Sequence, residues 1–155
     1  NSVGGGGEST ALSTSAMYIN LLKYNYNGPS LLPLVEPVMS LAAAGQHLMN
    51  VETHISAMGN ALESALRNEK PHSEKYRTMI FGSHGQGGRD YEWIKKGGGG
   101  VSYQNTLDAV AFIKQKMATA TKEFNVPGVV LIHGENDAQK KNNRYSNNLM
   151  QLQLN

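Results

Sequence analysis

The sequence contains no cysteine, and this absence removes several kinds of chemistry at once. Disulfide bonds, thiolate metal sites and a cysteine nucleophile are excluded for the 155 residues. Aromatic residues are few, at 7%, and charge of one sign is not concentrated anywhere, since 14 basic and 12 acidic side chains are scattered to a formal charge of +2. A nucleic-acid-binding surface requires clustered basic residues, so we expect no nucleic-acid partner.

Long hydrophobic runs are also missing. No apolar stretch approaches the roughly 20 residues of a membrane-spanning helix, and no signal peptide is visible. The histidines form no pair at i, i+4 spacing with an acidic residue, so the sequence predicts no metal site, and it predicts no cofactor either. One possible function is that of a nucleotide-binding α/β domain, although the usual dinucleotide and phosphate-binding glycine motifs are absent.

The most informative stretch is residues 128–138, GVVLIHGENDA. Residues 129–132 are an unbroken apolar run rich in β-branched side chains, which predicts a strand buried on both faces in the middle of a parallel sheet. Ligands of open α/β sheets bind beyond the carboxyl ends of the strands, so the polar residues that follow are expected at a site. The alternative is that Asn136 and Asp137 only cap the next helix.

Other segments alternate between helix and strand. Apolar spacing predicts helices over residues 52–67 and 104–124, and residues 76–82 predict a second buried strand. A last helix is predicted over residues 144–154. This order indicates one α/β domain over residues 1–155 with a parallel sheet and right-handed crossovers.

Two of these helices have a predicted core face. In the first, the expected inward side chains are Ile55, Met58, Ala61 or Leu62, Ala65 and Leu66. In the second, they are Leu107, Val110, Ala111, Ile113 or Lys114, Met117 and Ala118. Residues 1–15 are rich in glycine and serine, which indicates a flexible arm or a loop at a functional rim.

Glycine is concentrated after the second predicted strand. Gly85, Gly87 and Gly88 would let backbone N–H groups approach a ligand closely, and such groups can hold the negative charge that develops on a tetrahedral intermediate. The alternative is that these glycines only form a tight turn. A second glycine run, residues 97–100, is predicted to be a plain loop before the long helix.

Three short motifs together resemble the SGNH hydrolase superfamily, in particular its carbohydrate-esterase branch of sialate O-acetylesterase-like domains, which also occur on phage tail proteins. Residues 133–137 (HGEND) are similar to the third sequence block of that family. Residues 85–93 (GQGGRDYEW) look like the second block, a glycine loop followed by a tryptophan. Residues 1–4 (NSVG) look like the continuation of the first block, in which the preceding serine is the nucleophile.

The resemblance implies a fold, an activity and a set of roles. The fold is a three-layer α/β/α arrangement around a parallel sheet, as in flavodoxin-like proteins, and it is expected to be incomplete in this chain. The activity is that of a serine O-acetylesterase that removes acetyl groups from carbohydrate. The implied oxyanion-hole donors are the N–H of Gly88 or Gly87 and the side chain of Asn136 or His133, and the implied supporting residues are Glu135 and Asp137.

The nucleophile and the base are expected outside this chain. The family places a serine where the residue before Asn1 would stand, and its base comes as an Asp-x-x-His motif, which does not occur here. Ser83 and His84 are not expected to form a dyad, because adjacent residues on an extended segment point to opposite faces.

The alternative function is a catalytically inactive carbohydrate-binding or structural module of a virion or tail. Either function fits an extracellular or virion-associated protein. The expected partner is an acetylated carbohydrate, and a homo-oligomer or a virion assembly is compatible with both.

Overall fold

The computed structural model describes residues 11–25, 28–38, 52–69, 77–85, 89–131, 135–139 and 145–154. Within these ranges the fold is α/β, with a three-stranded mixed sheet and five helices. The chain divides into two compact units, Asn1–Gly87 and Gly88–Asn155.

The sheet belongs to the first unit. Its strands are β1 (Leu21–Asn25), β2 (Ser30–Pro33) and β3 (Met79–Phe81), in the order β2-β1-β3. β1 runs parallel to β3 and antiparallel to β2. The predicted parallel pairing therefore holds for β1 and β3 only, because the short connection between β1 and β2 permits a hairpin and not a crossover.

One helix, α1 (His54–Glu69), packs against this sheet. The core cluster consists of Leu21, Leu34, Val38 and Ile55, with Tyr18, Met79 and Phe81 packed against it. α1 comes closest at Gly59, where an added Cβ would lie 2.6 Å from Leu34 Cδ2 and 3.1 Å from the Phe81 ring. Glycine at this position therefore permits the close packing of helix and sheet.

The predicted core face of α1 is only partly correct. Ile55 is buried as expected, but Leu62 is 44% exposed, and Ala61 and Ala65 are exposed as well. The side of the helix that faces inward carries small and polar residues, namely Ser56, Gly59 and Glu63. Apolar spacing could not identify this face, because three of its four buried residues are not hydrophobic.

The buried acid Glu63 joins α1 to the beginnings of two strands. Its Oε1 accepts hydrogen bonds from Asn20 Nδ2 at 2.9 Å and from Arg67 Nε at 2.7 Å. Asn20 Nδ2 also donates to the carbonyl of Arg77 at 3.0 Å, two residues before β3. The Arg67 guanidinium lies 4.8 Å above the ring of Tyr18. Only Oε1 of this fully buried carboxylate is hydrogen-bonded among the described residues, and Oε2 lies 3.9 Å from Arg77 Nη2.

A second buried acid, Glu36, holds the start of α1. Its carboxylate accepts hydrogen bonds from the Val38 N–H at 2.8 Å, the Thr53 hydroxyl at 2.9 Å and the Ser56 N–H at 3.1 Å. Thr53 in turn caps the helix, since its hydroxyl accepts from the N–H of Ile55 at 3.2 Å. The first turn of α1 is therefore held by two side chains from the segments before it.

The second unit contains the other four helices. They are α2 (Tyr91–Ile94), α3 (Ser102–Thr119), α4 (Glu135–Gln139) and α5 (Tyr145–Leu154). The predicted last helix over residues 144–154 is confirmed as α5. Among the described residues of the chain, no helix has the length and hydrophobicity needed to cross a membrane.

The long helix α3 ends five residues before the predicted end at 124. Thr121 adopts a left-handed backbone conformation with φ of 53°, and the N–H of Lys122 donates to the carbonyl of Met117 at 2.9 Å. These features terminate a helix in the manner of a Schellman motif. No residue pattern marks this helix end, because the position that favours glycine holds threonine.

The core face of α3 also differs from the prediction. Its buried residues are Ser102, Ala109 and Ile113, whereas Leu107 is 46% exposed and Ala111, Lys114 and Ala118 are exposed. Val110 and Met117 are half-buried, as part of the observed face. The predicted face is therefore partly correct, since Val110, Ile113 and Met117 lie on the observed face and Leu107, Ala111 and Ala118 do not.

The predicted central strand at residues 129–132 is wrong over the part that the structure describes. Residues 129–131 lie outside any strand, and Val129 and Val130 are 77% and 67% exposed. The second predicted strand, residues 76–82, is confirmed in the shorter form of β3. A strand needs a hydrogen-bonded neighbour, and an apolar run carries no information about where that neighbour lies.

The left-handed residue after α3 provides a test of this helix end. We expect Thr121→Gly to raise the free energy of unfolding by about 0.5–1 kcal/mol, because glycine adopts positive φ without the steric penalty of a β-branched side chain. Thr119→Gly, two residues earlier in the helix, should lower it by about 0.3–0.5 kcal/mol. Chemical denaturation of both variants measures the change in the free energy of unfolding. If both changes had the same sign, Thr121 would not have positive φ just beyond the end of α3.

Candidate functional site

Asp137 connects two of the three motifs that carry the family resemblance. Its side chain is fully buried in α4, and Oδ2 accepts a hydrogen bond from the backbone N–H of Tyr91 at 2.9 Å. Tyr91 is the first residue of α2 and lies three residues after the last glycine of the glycine-rich stretch. The third-block motif is therefore bonded to the segment that closes the second-block motif.

The Asp137 carboxylate also interacts electrostatically with Tyr145. Burial is the main cause that raises the pKa of the Tyr145 hydroxyl, and the negative charge of Asp137 raises it further. Tyr145 begins α5, as Tyr91 begins α2. One buried acid in α4 thus interacts with the first residues of two other helices.

The short helix α2 is fixed by contacts around Trp93. Asp90 is its N-cap, and its Oδ1 accepts from the N–H of Trp93 at 3.2 Å. The guanidinium of Arg89 lies 4.2 Å above the Trp93 ring. On the next turn, Glu92 and Lys95 form an ion pair. The residues that follow the glycine-rich loop are therefore linked by a cap, a cation–π contact and an ion pair.

The glycine run at residues 97–100 wraps closely around Trp93. Gly97 has φ of +68°, and a Cβ at Gly98 would lie 2.5 Å from the carbonyl oxygen of Glu92. A Cβ at Gly100 would lie 2.2 Å from Trp93 Nε1. The run is a loop before α3, as predicted. It also has a steric reason for glycine, because side chains in it would collide with the tryptophan and the α2 backbone.

Asn136 lies beside Asp137 in the first turn of α4. It is half-buried, whereas Asp137 is fully buried. Since α4 begins at Glu135, both residues are inside the helix, and the alternative in which they cap it does not hold. The two neighbouring residues therefore differ in exposure: Asp137 is fully buried, and Asn136 is partly exposed to solvent.

Three of the predicted site residues, Gly87, Gly88 and His133, lie outside the residues that the structure describes. Glu135 is placed only as the first residue of α4. Of the six, the structure therefore gives side-chain surroundings for Asn136 and Asp137. The hydrogen bond from the Tyr91 N–H to Asp137 was not predicted, because a backbone donor has no signature in the sequence.

Ser83 and His84 follow β3 at its carboxyl end. Ser83 is buried and His84 is half-buried, and burial lowers the pKa of the His84 imidazole to about 4. A general base works best when its pKa is near the operating pH. His84 is therefore a weak base at neutral pH, which agrees with the expectation that these two residues are not the catalytic pair.

Within the described ranges, no group of three or more histidine or acidic side chains could hold a metal ion. No family model matches the chain, and neither the curated proteins nor the solved structures contain a significant match. The family resemblance consequently rests on the three sequence motifs alone.

The glycine run allows a direct test of its packing. We expect Gly100→Ala to lower the free energy of unfolding by about 1–3 kcal/mol, because the new methyl group would overlap the indole of Trp93. Gly128→Ala is the control, since nothing lies within 4 Å of a Cβ there. Thermal and chemical denaturation of both variants measure the effect, and equal stabilities would show that the run does not enclose Trp93.

The buried carboxylate of Asp137 can be tested in the same way. We expect Asp137→Asn to cost about 1.5–3 kcal/mol and to speed hydrogen exchange at the amide of Tyr91, because a charged acceptor is replaced by a neutral one. Asp108→Asn, on the exposed side of α3, is the matched control. An unchanged exchange rate at Tyr91 would show that this hydrogen bond does not form in solution.

Proposed function

We propose that the chain belongs to a serine O-acetylesterase of the SGNH type that removes acetyl groups from carbohydrate. The observation that carries the proposal is the 2.9 Å hydrogen bond between Asp137 and the N–H of Tyr91. It ties together the two motifs to which the resemblance assigns the oxyanion hole. We further propose that the complete enzyme has the three-layer α/β/α fold, of which the α/β character is seen here.

In the proposed reaction, a serine directly before Asn1 attacks the acetyl carbonyl, and a histidine of an Asp-x-x-His motif takes its proton. The negative charge that develops on the carbonyl oxygen is held by the N–H of Gly88 and the side-chain amide of Asn136. The C–O bond to the sugar then breaks, and the sugar oxygen receives the proton from the histidine. In the second step, water hydrolyses the acetyl-serine ester, which releases acetate and restores the serine.

The burial of the two α4 residues supports this division of roles. Asn136 is half-buried and carries an amide donor, which suits a group that meets a substrate oxygen. Asp137 is fully buried and accepts a backbone N–H, which suits a residue that holds neighbouring segments in place. His133 stays an alternative donor in the proposal, and Glu135 stays a supporting residue.

Replacement of Asn136 tests the proposed activity. We expect the native full-length protein to hydrolyse acetylated sugars. In that protein, Asn136→Ala should reduce kcat by about 10²–10³-fold with the fold retained. Asn125→Ala, in the exposed segment after α3, is the matched control and should leave kcat unchanged. Acetate release measures both.

Full activity in the Asn136→Ala variant would contradict the oxyanion role of Asn136 and favour His133 as the donor. An unaltered protein that binds acetylated oligosaccharide without releasing acetate would contradict the esterase proposal and support the non-catalytic carbohydrate-binding module instead.

A further inference from the structure

The long helix α3 begins without a side chain that caps it. Its N-cap residue is Val101, which makes no side-chain hydrogen bond to the helix. The first helical hydrogen bond runs from the N–H of Asn105 to the carbonyl of Val101 at 2.9 Å. The N–H groups of Ser102, Tyr103 and Gln104 come before it, and no acceptor among the described residues meets them. An 18-residue helix therefore starts with three unpaired backbone donors.

Two side chains on one face of α3 have polar atoms that are buried without a partner. Ser102 is 5% exposed, and no group in the described part of the chain bonds to its Oγ. The same holds for Nδ2 of Asn105, three residues later. Helical residues three apart are neighbours, and their side chains tilt towards the N-terminus. The hydroxyl and the amide therefore point to the same end of α3 as the unpaired N–H groups.

The start of α3 also favours negative charge. The helix dipole places partial positive charge there, and the first turn carries no acidic side chain. The first acid of the helix, Asp108, lies beyond that turn and accepts a hydrogen bond from Gln104 Nε2 at 2.7 Å. Residues 97–100 are all glycine and so have no side chains to cover the helix end, and Val101 is 52% exposed. An anion can therefore approach the N–H groups from solvent.

We propose that the N-terminus of α3 is a binding site for a tetrahedral oxyanion of the phosphate or sulfate class. Its donors are the N–H groups of Ser102, Tyr103 and Gln104, the Ser102 hydroxyl and the amide of Asn105. This number of donors exceeds what the two oxygens of a carboxylate take up in one plane, and it suits an anion with oxygens in several directions. The site is independent of the proposed esterase activity, and neither requires the other.

A titration with inorganic phosphate tests the site in the native full-length protein. At constant ionic strength, with chloride as the replaced ion, we expect the amide NMR signals of Ser102, Tyr103 and Gln104 to shift and to saturate together. Acetate should bind more weakly at the same residues. Shifts that stay linear with phosphate concentration, or that are absent at these three amides, would overturn the site.

The variant Ser102→Ala separates ligand binding from a structural role. The affinity for phosphate should fall by about tenfold, because a hydrogen bond to a charged acceptor is lost. Without phosphate, the melting temperature should stay the same or rise, because a buried hydroxyl without a partner is removed. Ser146→Ala, at the exposed second position of α5, is the matched control and should change neither quantity. A lower melting temperature together with an unchanged affinity would show that the hydroxyl is structural.

The variant Val101→Asp supplies the missing cap. Its carboxylate would accept from the same N–H groups that the anion uses, so we expect a higher melting temperature and a phosphate affinity lower by about tenfold or more. Val126→Asp, in the exposed segment after α3, is the control for added charge and should keep the native affinity. An unchanged affinity in Val101→Asp would place the bound phosphate elsewhere and overturn the proposal.

A comparison of two ligands identifies the source of the anion. If glucose 1-phosphate binds as tightly as inorganic phosphate, the site takes a phosphoryl group carried by a larger molecule. If only inorganic phosphate binds, the site takes the free ion. Binding of neither would overturn the site. Acetate release should be the same in Ser102→Ala and in the unaltered protein, so the outcome for this site does not depend on the outcome for the esterase.

Discussion

Carboxylates removed from water must find donors inside the protein, and this requirement organises the parts of the chain that the structure describes. Glu36 and Glu63 in the first unit and Asp137 in the second are all buried. Each accepts hydrogen bonds from segments distant in sequence, including the Ser56 N–H, the Asn20 amide and the Tyr91 N–H. Losing one such partner leaves a buried charge uncompensated, so these contacts constrain how the surrounding elements pack.

The same requirement bears on the proposed chemistry. A side chain that must stay enclosed to keep its partner cannot also meet a substrate, whereas its neighbour can. Asp137 and Asn136 are adjacent in α4, and the structure encloses the first and leaves the second partly open. The motif therefore combines an enclosed residue that holds α2 with a half-buried residue to which the proposed mechanism assigns the oxyanion. Around Trp93, the glycine run and Asp90 fix the segment that follows the glycine-rich loop.

Sequence patterns predicted the type of four of the eight described elements and missed the antiparallel pairing of β1 with β2. α1, α3, α5 and β3 lie where the sequence predicted three helices and a strand. The burial of Glu63 and Gly59 was not predictable from hydrophobicity, since one is charged and the other has no side chain. The apolar run at residues 129–131 was the strongest strand signal, and it is exposed and unpaired with the described strands. At the candidate site, the resemblance indicated Asp137, but only the fold shows that its partner is a backbone N–H.

Labelling with a fluorophosphonate tests the proposal that the motifs of this chain belong to a serine esterase. Such a reagent reacts with a serine activated by a neighbouring base. In the protein isolated from its source, we expect one labelled peptide, with the reagent on the serine directly before Asn1. The absence of a labelled serine would contradict the proposal, as would a label on Ser83.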